Sequence, residues 1–216
     1  IETRAHLEAA AQPTAEQLIY GDPADDPREC LGLATRYNLT TLDNVVGLSG
    51  TGNDVTSLWM IEWNDINAYL IYPRGSGSMG VSVVDHGKQR VTDSNNKPYY
   101  AYASQIKIEL GMAIADDRAV QRLANIETDG STNNLIWPDS QMHAVIRARN
   151  RLPNMGMDGN TFMYVNRDLK SQFDIYALDK SNGFYMLPDI TGRPISTFQG
   201  IPIRMVEQII DETAIS

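Results

Sequence analysis

The stretch YYAYASQIKIELGMAI, residues 99–114, sets the terms for the rest of the chain. Tyr100, Tyr102, Ile106, Ile108, Leu110, Met112 and Ile114 alternate with smaller or polar neighbours such as Ala103, Gln105, Lys107 and Glu109. A period of two predicts a strand with one buried face. At ~3.3 Å per residue the run would span roughly 50 Å, whereas an ordinary strand has about five or six residues. The chain has 216 residues, enough for one ordinary domain or at most one domain with an elaborated arm. A strand of that length outruns such a core. Part of it is therefore expected to project as an arm or an elongated platform.

On either side the pattern is mixed. VTSLWMIEW and AYLIY, within 55–72, are β-rich runs joined by NDIN, which predicts a hairpin. PRGSGSMG after it reads as a flexible loop. Asp116 is placed to cap a helix over 117–125, with Ala119, Val120, Leu123 and Ala124 on one face. Asp139 opens a helix over 140–152 with Met142, Val145, Ile146 and Leu152 inward and Arg147, Arg149 and Arg151 near its C-terminal end, where cations suit the dipole. Asn166 caps 167–179, with Leu169, Phe173 and Tyr176 inward. TFMYV (161–165) and the pair PISTFQ and IPIRMV around Gly200 read as strands. Near the start, 4–20 reads as helix with a break or kink at Pro13, a firm part from 14 to 20, and Gly21 as its stop. Residues 21–38 carry two prolines and several carboxylates and read as a loop. The class is α+β.

Composition excludes more than it selects. Eighteen basic against 27 acidic side chains give a net charge of −9, which argues against tight phosphate-backbone binding. No apolar run is long enough to span a membrane. The single cysteine, Cys30, excludes an internal disulfide framework. The opening IETRAHLEAA lacks the basic and then apolar regions of a signal peptide, and a start at Ile1 suggests processing or a fragment. Asp22, Asp25 and Asp26 lack the ligand spacing of a calcium loop and read as a solvated acidic loop. His6, His86 and His143, placed in a helix, a turn and a helix, show no zinc-helix spacing. Gly47, Gly50 and Gly52 precede a strand, where a phosphate-binding loop needs a helix, and Thr51 stands where a nucleophile elbow needs its second glycine. Arg74 could hold a phosphate or a partner carboxylate, and Asp116, Asp117 and Arg118 could pair across a subunit contact. No catalytic residue, metal ligand or cofactor is expected.

As an ordered set, several segments resemble the major capsid protein of tailed bacteriophages, which has the Hong Kong 97 fold. LPNMGMDGNTFMYVNRDLKSQFDIYALDKSNGFYM (152–186) resembles that family's helix, strand, asparagine, helix and glycine–aromatic turn. STFQGIPIRMV (196–206) is similar to its Gly-x-Pro-aliphatic hairpin. EQLIYGDPADDPRECLGLATRYN (16–38), GTGNDVTSLWMIEWND (50–65), AYLIYPRGS (68–76) and YYAYASQIKIELGMAIADDRAVQRLANI (99–126) look like a podophage-type branch. The resemblance implies a spine helix and following loop in 1–39, axial-domain strands in 40–76, a long-strand peripheral domain in 77–134, and axial-domain helices with the C-terminal hairpin in 135–216. It implies a permuted order of elements, and it leaves the family's N-terminal arm and extended loop without counterparts here. The implied function is a structural head protein that assembles with its own copies into hexamers and pentamers of an icosahedral shell around double-stranded DNA. Portal, scaffold or decoration proteins would be further partners, with no membrane, no cofactor and no tight specific nucleic-acid binding. Arg74, Arg118 and Arg122 are the candidate contacts between subunits. Two alternatives stand beside this reading: an encapsulin-type compartment shell, and an acidic hydrolase or sugar-binding module using carboxylates of 22–29.

Overall fold

Two strands with almost no exposed face organise the chain. In the computed structural model, which describes residues 2–74, 79–127, 139–153, 160–179, 187–188 and 194–216, β2 (Val55–Glu62) is buried at every position and β7 (Val120–Glu127) at all but its last. Strands buried on both faces belong in the middle of a sheet. They pair antiparallel there, within the order β1-β7-β2-β8-β12-β11. The flanking strands are β1 (Val45–Gly47), β8 (Thr161–Val165), β11 (Thr197–Phe198) and β12 (Ile201–Met205), while β9 (Leu187–Pro188) and β10 (Pro194–Ile195) pair with each other outside this sheet. β1 runs parallel to β7 and β12 parallel to β8, so the sheet is mixed.

Each face of this sheet has its own core. Leu58, Met60, Leu123 and Met163 pack under α3 (Asp139–Arg151) and α4 (Arg167–Asp179), which contribute Val145, Ala148, Leu169 and Phe173. Trp59, Ile61, Val120 and Ala124 face the other way. They meet Ile19 of α1 (Glu2–Tyr20), Leu33 of α2 (Leu33–Arg36), Ala68 of β3 (Ala68–Ile71) and Met112 of β6 (Gly111–Ile114). The helix over 140–152 and its inward Met142, Val145 and Leu152 are found as read from the sequence, with Ile146 half-buried. Asn166 caps α4 by accepting from the Leu169 amide at 2.9 Å, with Leu169 and Phe173 inward; the side chain of Tyr176 lies outside the described residues. The strands β11 and β12 meet in a two-residue turn where Gln199 and Gly200 both take positive φ, 48° and 89°. That geometry matches the twist of a hairpin and favours glycine.

The structure departs from the sequence reading in several places. The runs in 55–72 are strands but not a hairpin: β2 joins the large sheet, whereas β3 pairs with β6. The run 117–125 is not a helix. Asp116 does cap, accepting from the Arg118 amide, but only one 3-10 turn (Asp117–Ala119) follows before β7. The long strand 99–114 is two strands, β5 (Pro98–Ile108) and β6, broken at Glu109–Leu110. Pro13 does not break α1, which is continuous across it; the Thr14 hydroxyl donates to the Ala10 carbonyl beside the missing amide. The helix ends at Tyr20, and Gly21 is required there by close approach: a Cβ would lie 2.4 Å from the Cys30 carbonyl oxygen. The short α2 lies within the 21–38 stretch read as loop.

β5 pairs along its whole length with β4 (Val81–Thr92), from Val81↔Ile108 to Thr92↔Pro98, with a bulge between Asp85 and Gly87. His86 therefore sits in this strand and not in a turn. Twelve residues of β4 make a ribbon about 40 Å long. Both faces are largely exposed, so the expectation of a buried tyrosine face is reversed: Tyr100 is 67% and Tyr102 84% exposed. The ribbon is long because it leaves the core, as the length argument requires. β7, which lies within 77–134, is central in the large sheet, and β3, within 40–76, pairs with β6 outside it.

Candidate functional site

Of the three arginines singled out from sequence, two lie on the surface and one inside. Arg74 is exposed just after β3. Arg118 is 77% exposed and grips Asp116 with Nη2 to Oδ2 at 2.7 Å and Nε to Oδ1 at 3.1 Å. Those hydrogen bonds hold the Asp116 carboxyl below its ordinary range, although so exposed a pair adds little stability. Arg122 does not fit the expectation of a subunit contact. Its side chain is 2% exposed, and its guanidinium is taken up within the chain.

That guanidinium centres a buried polar network. Arg122 Nη2 meets Glu212 Oε2 at 2.5 Å, Nη1 donates to the Tyr37 carbonyl at 2.6 Å, and Nε donates to Ser57 Oγ at 3.0 Å. The group also lies 5.0 Å from the centroid of the Trp59 ring. Glu212 in turn accepts from Ser57 Oγ at 2.6 Å and from the Tyr20 hydroxyl at 2.8 Å. Here every charge has a partner and the hydrogen bonds fan out to four elements, as a buried ion pair requires. The segment carrying Glu212 is a strap across the sheet. Glu212 exchanges backbone hydrogen bonds with Val55, the Ala214 amide donates to Gly52, and Ile215 is bonded both ways by the Asn125 side-chain amide. Nothing local marks this site, because the carboxylate stands 90 positions from its arginine.

Burial, followed by the charge and hydrogen bond of Glu212, pushes the Tyr20 phenol far above its ordinary pKa, so it remains a donor. Tyr37 is pushed up by burial and then by Asp117, whose carboxylate accepts from it at 3.1 Å. Unfolded tyrosines ionise near about 10. Stability from these two groups is fully present below that pH and falls as pH rises further, because only the unfolded chain can then shed the protons. Urea midpoints measured from pH 9 to 12 are expected to fall above about 10, with a shallower fall in Tyr20→Phe. A midpoint that stays flat across that range would contradict the burial of both phenols.

Two crevices among the described residues hold no activated nucleophile. One, of about 430 Å³, is lined by Thr14, Gln17, Arg28, Cys30, Tyr72 and Glu109 among others. Its thiol donates to the Gln17 carbonyl at 3.7 Å and is pushed up in pKa by burial, the opposite of an activated nucleophile. A second, of about 190 Å³, is walled by Leu18, Trp59, Trp63, Leu70 and Met112 and is apolar. Among the described residues, no group of His, Cys, Asp and Glu could hold a metal ion, and no helix is long and apolar enough to cross a membrane. Asp22, Asp25 and Asp26 form a turn in which Asp26 pairs with Arg28. What the surface does offer is the ribbon, with Val83, Val84, Tyr99, Tyr100 and Tyr102 exposed, and Leu70, Ile71 and Tyr72 exposed near its root.

Comparison with known proteins gives these surfaces a context. A family model described as major capsid protein GP7 matches residues 1–216. A chain from the near-atomic-resolution cryo-electron-microscopy structure of bacteriophage epsilon15 is similar at a TM-score of 0.58 and 26% identity, over 99% of this chain and 66% of that one. The present chain thus spans just under two thirds of that neighbour. Comparison with curated protein sequences returned no match.

Proposed function

From the premise that this chain belongs to the major capsid protein GP7 family, we propose that it is the repeating tile of an icosahedral phage head. Membership makes it a structural, non-enzymatic capsid shell protein, which displaces the reading as a hydrolase or sugar-binding module. Beyond that, hexamers and pentamers of identical copies would close around double-stranded DNA, assembled in the host cytoplasm and retained in the virion. The observation that carries this reading is the family match along the whole chain.

Physical features support it. A shell needs many modest contacts repeated by symmetry, so that avidity supplies the stability. A rigid core bearing a long exposed ribbon suits that task better than it suits a solitary domain. The net charge of −9 keeps an inner wall from gripping DNA through salt-dependent phosphate contacts. Arg74 and Arg118, both exposed, are the contacts we assign to neighbouring copies, and the Hong Kong 97-type arrangement is the architecture proposed, with α1 as spine helix. Electron microscopy of the full-length protein, expressed alone and with its phage partners, is expected to show closed particles with fivefold vertices. Protein that stayed monomeric at high concentration across salt and pH would overturn the reading. Closed particles lacking any portal vertex and filled with protein cargo would favour an encapsulin-type shell.

A further inference from the structure

The ribbon carries a charge opposite to that of the body. Residues 81–108 contain Lys88, Arg90, Lys97 and Lys107 against Asp85 and Asp93, a net of +2. Because the whole chain carries −9, the remainder carries −11. The most acidic stretch near the start is 2–29, with seven carboxylates against Arg4 and Arg28. Within it Glu8, Glu16 and Asp25 are exposed.

Register sorts the ribbon further. Directly opposed residues of an antiparallel pair share a face. Lys88 stands opposite Tyr102 and Arg90 opposite Tyr100, so two cations and two tyrosines form one patch near the tip. Lys88 Nζ lies 5.2 Å from the centroid of the Tyr100 ring. Aromatic and arginine side chains are what interface cores favour, because they bury large area at small entropic cost. The body of the same chain leaves this patch open, since Tyr100 and Tyr102 are both exposed.

We propose that the Lys88–Arg90–Tyr100–Tyr102 face of the ribbon docks on the acidic α1 and 22–29 surface of a second copy. The proposal deepens the shell reading and rests on it. Charge complementarity between the two surfaces selects the partner. A nucleic-acid partner is disfavoured by a ribbon of only +2 on a body of −11, because phosphate binding needs several uncompensated cations. Such a contact is heterologous, ribbon to body, so repetition around an axis closes a ring.

The test uses full-length protein with a benzophenone amino acid at position 102, prepared in two isotope labels and mixed before assembly. Irradiation and peptide mass spectrometry then identify what the ribbon touches. Cross-links from position 102 to peptides of 2–36 carrying the other label are expected. In parallel, Lys88→Glu with Arg90→Glu should raise the critical assembly concentration roughly tenfold through like-charge contact. Adding Glu16→Lys and Asp25→Lys should restore most of it. Cross-links to nucleic acid, to another region, or to nothing would overturn the docking, as would a reversed ribbon that assembles at the wild-type concentration. Particles that form normally in those cases leave the shell reading standing. Failure of the wild-type chain to form particles is the separate result that removes it.

Discussion

Arg122→Ala is expected to lower the unfolding free energy by about 3–5 kcal/mol, because it leaves the Glu212 carboxylate in the protein interior without its cation. The side chains are 2% and 10% exposed, so water cannot replace the missing partner. The same substitution strips donors from the Tyr37 carbonyl and Ser57 Oγ, and removes the cation above Trp59. Since domains are stable by only about 5–15 kcal/mol, the variant should be close to unfolding at room temperature. Two companions separate causes. Glu212→Gln should be milder, because the amide still accepts from Arg122 and leaves a single cation bonded to the backbone carbonyl. The double change Arg122→Met with Glu212→Leu should regain much of the loss, since apolar pairs of similar volume replace buried ion pairs at small or favourable free energy. Urea midpoints followed by far-ultraviolet circular dichroism give all three values. A loss below about 1 kcal/mol for Arg122→Ala would be typical of an exposed pair and would contradict the buried geometry.

This network also shows where sequence reasoning reaches its limit. The helices α3 and α4 were legible because their information is local: a 3.6-residue period and a polar face lie within 13 residues, and α4 adds a capping asparagine. The strand β7 was not, because a strand buried on both faces has no alternation to display. Its VQRLANIE reads equally as an amphipathic helix, and propensity for Leu, Gln, Arg and Ala favours that error. Once β7 is misread, Arg122 falls on a solvated helix face and looks like a contact residue. Read as a central strand, the same arginine demands a buried carboxylate, but nothing nearby identifies Glu212. The hairpin expected in 55–72 fails similarly. Turn chemistry at NDIN is real, with the Asn67 amide donating to Asn64, yet the partners of both strands lie elsewhere in the chain. The ribbon was half legible. Its length announced departure from the core, while β4 was hidden because its polar sequence VSVVDHGKQRVT shows no sustained apolar face.

Phe173→Ala is expected to destabilise by about 3–5 kcal/mol, the range for truncating a buried aromatic. Phe173 is 2% exposed and belongs to the core under α3 and α4. Its ring stands 6.0 Å from that of Phe198, centroid to centroid, at a tilt of 56°. That is a favourable tilted geometry, worth about 0.5–1.5 kcal/mol beyond the area it buries. The pair fastens α4 to the β11–β12 hairpin, whose Ile201 and Ile203 line the same core. Truncation therefore opens a cavity at the seam between a helix and the edge of the sheet, where the surrounding strands are held by hydrogen bonds and cannot close on it. Phe173→Leu should recover most of the loss, because it restores volume but not the ring contact. In the assembled state the two variants should part further. If α4 and the hairpin form one rigid unit of the shell, Phe173→Ala should lower the yield of closed particles at 37 °C, while Phe173→Leu stays near wild type. Chemical denaturation of dissociated protein, read beside particle yield, distinguishes a folding defect from an assembly defect. A midpoint for Phe173→Ala within about 1 kcal/mol of wild type, far below the aromatic range, would mean that this core is not close-packed.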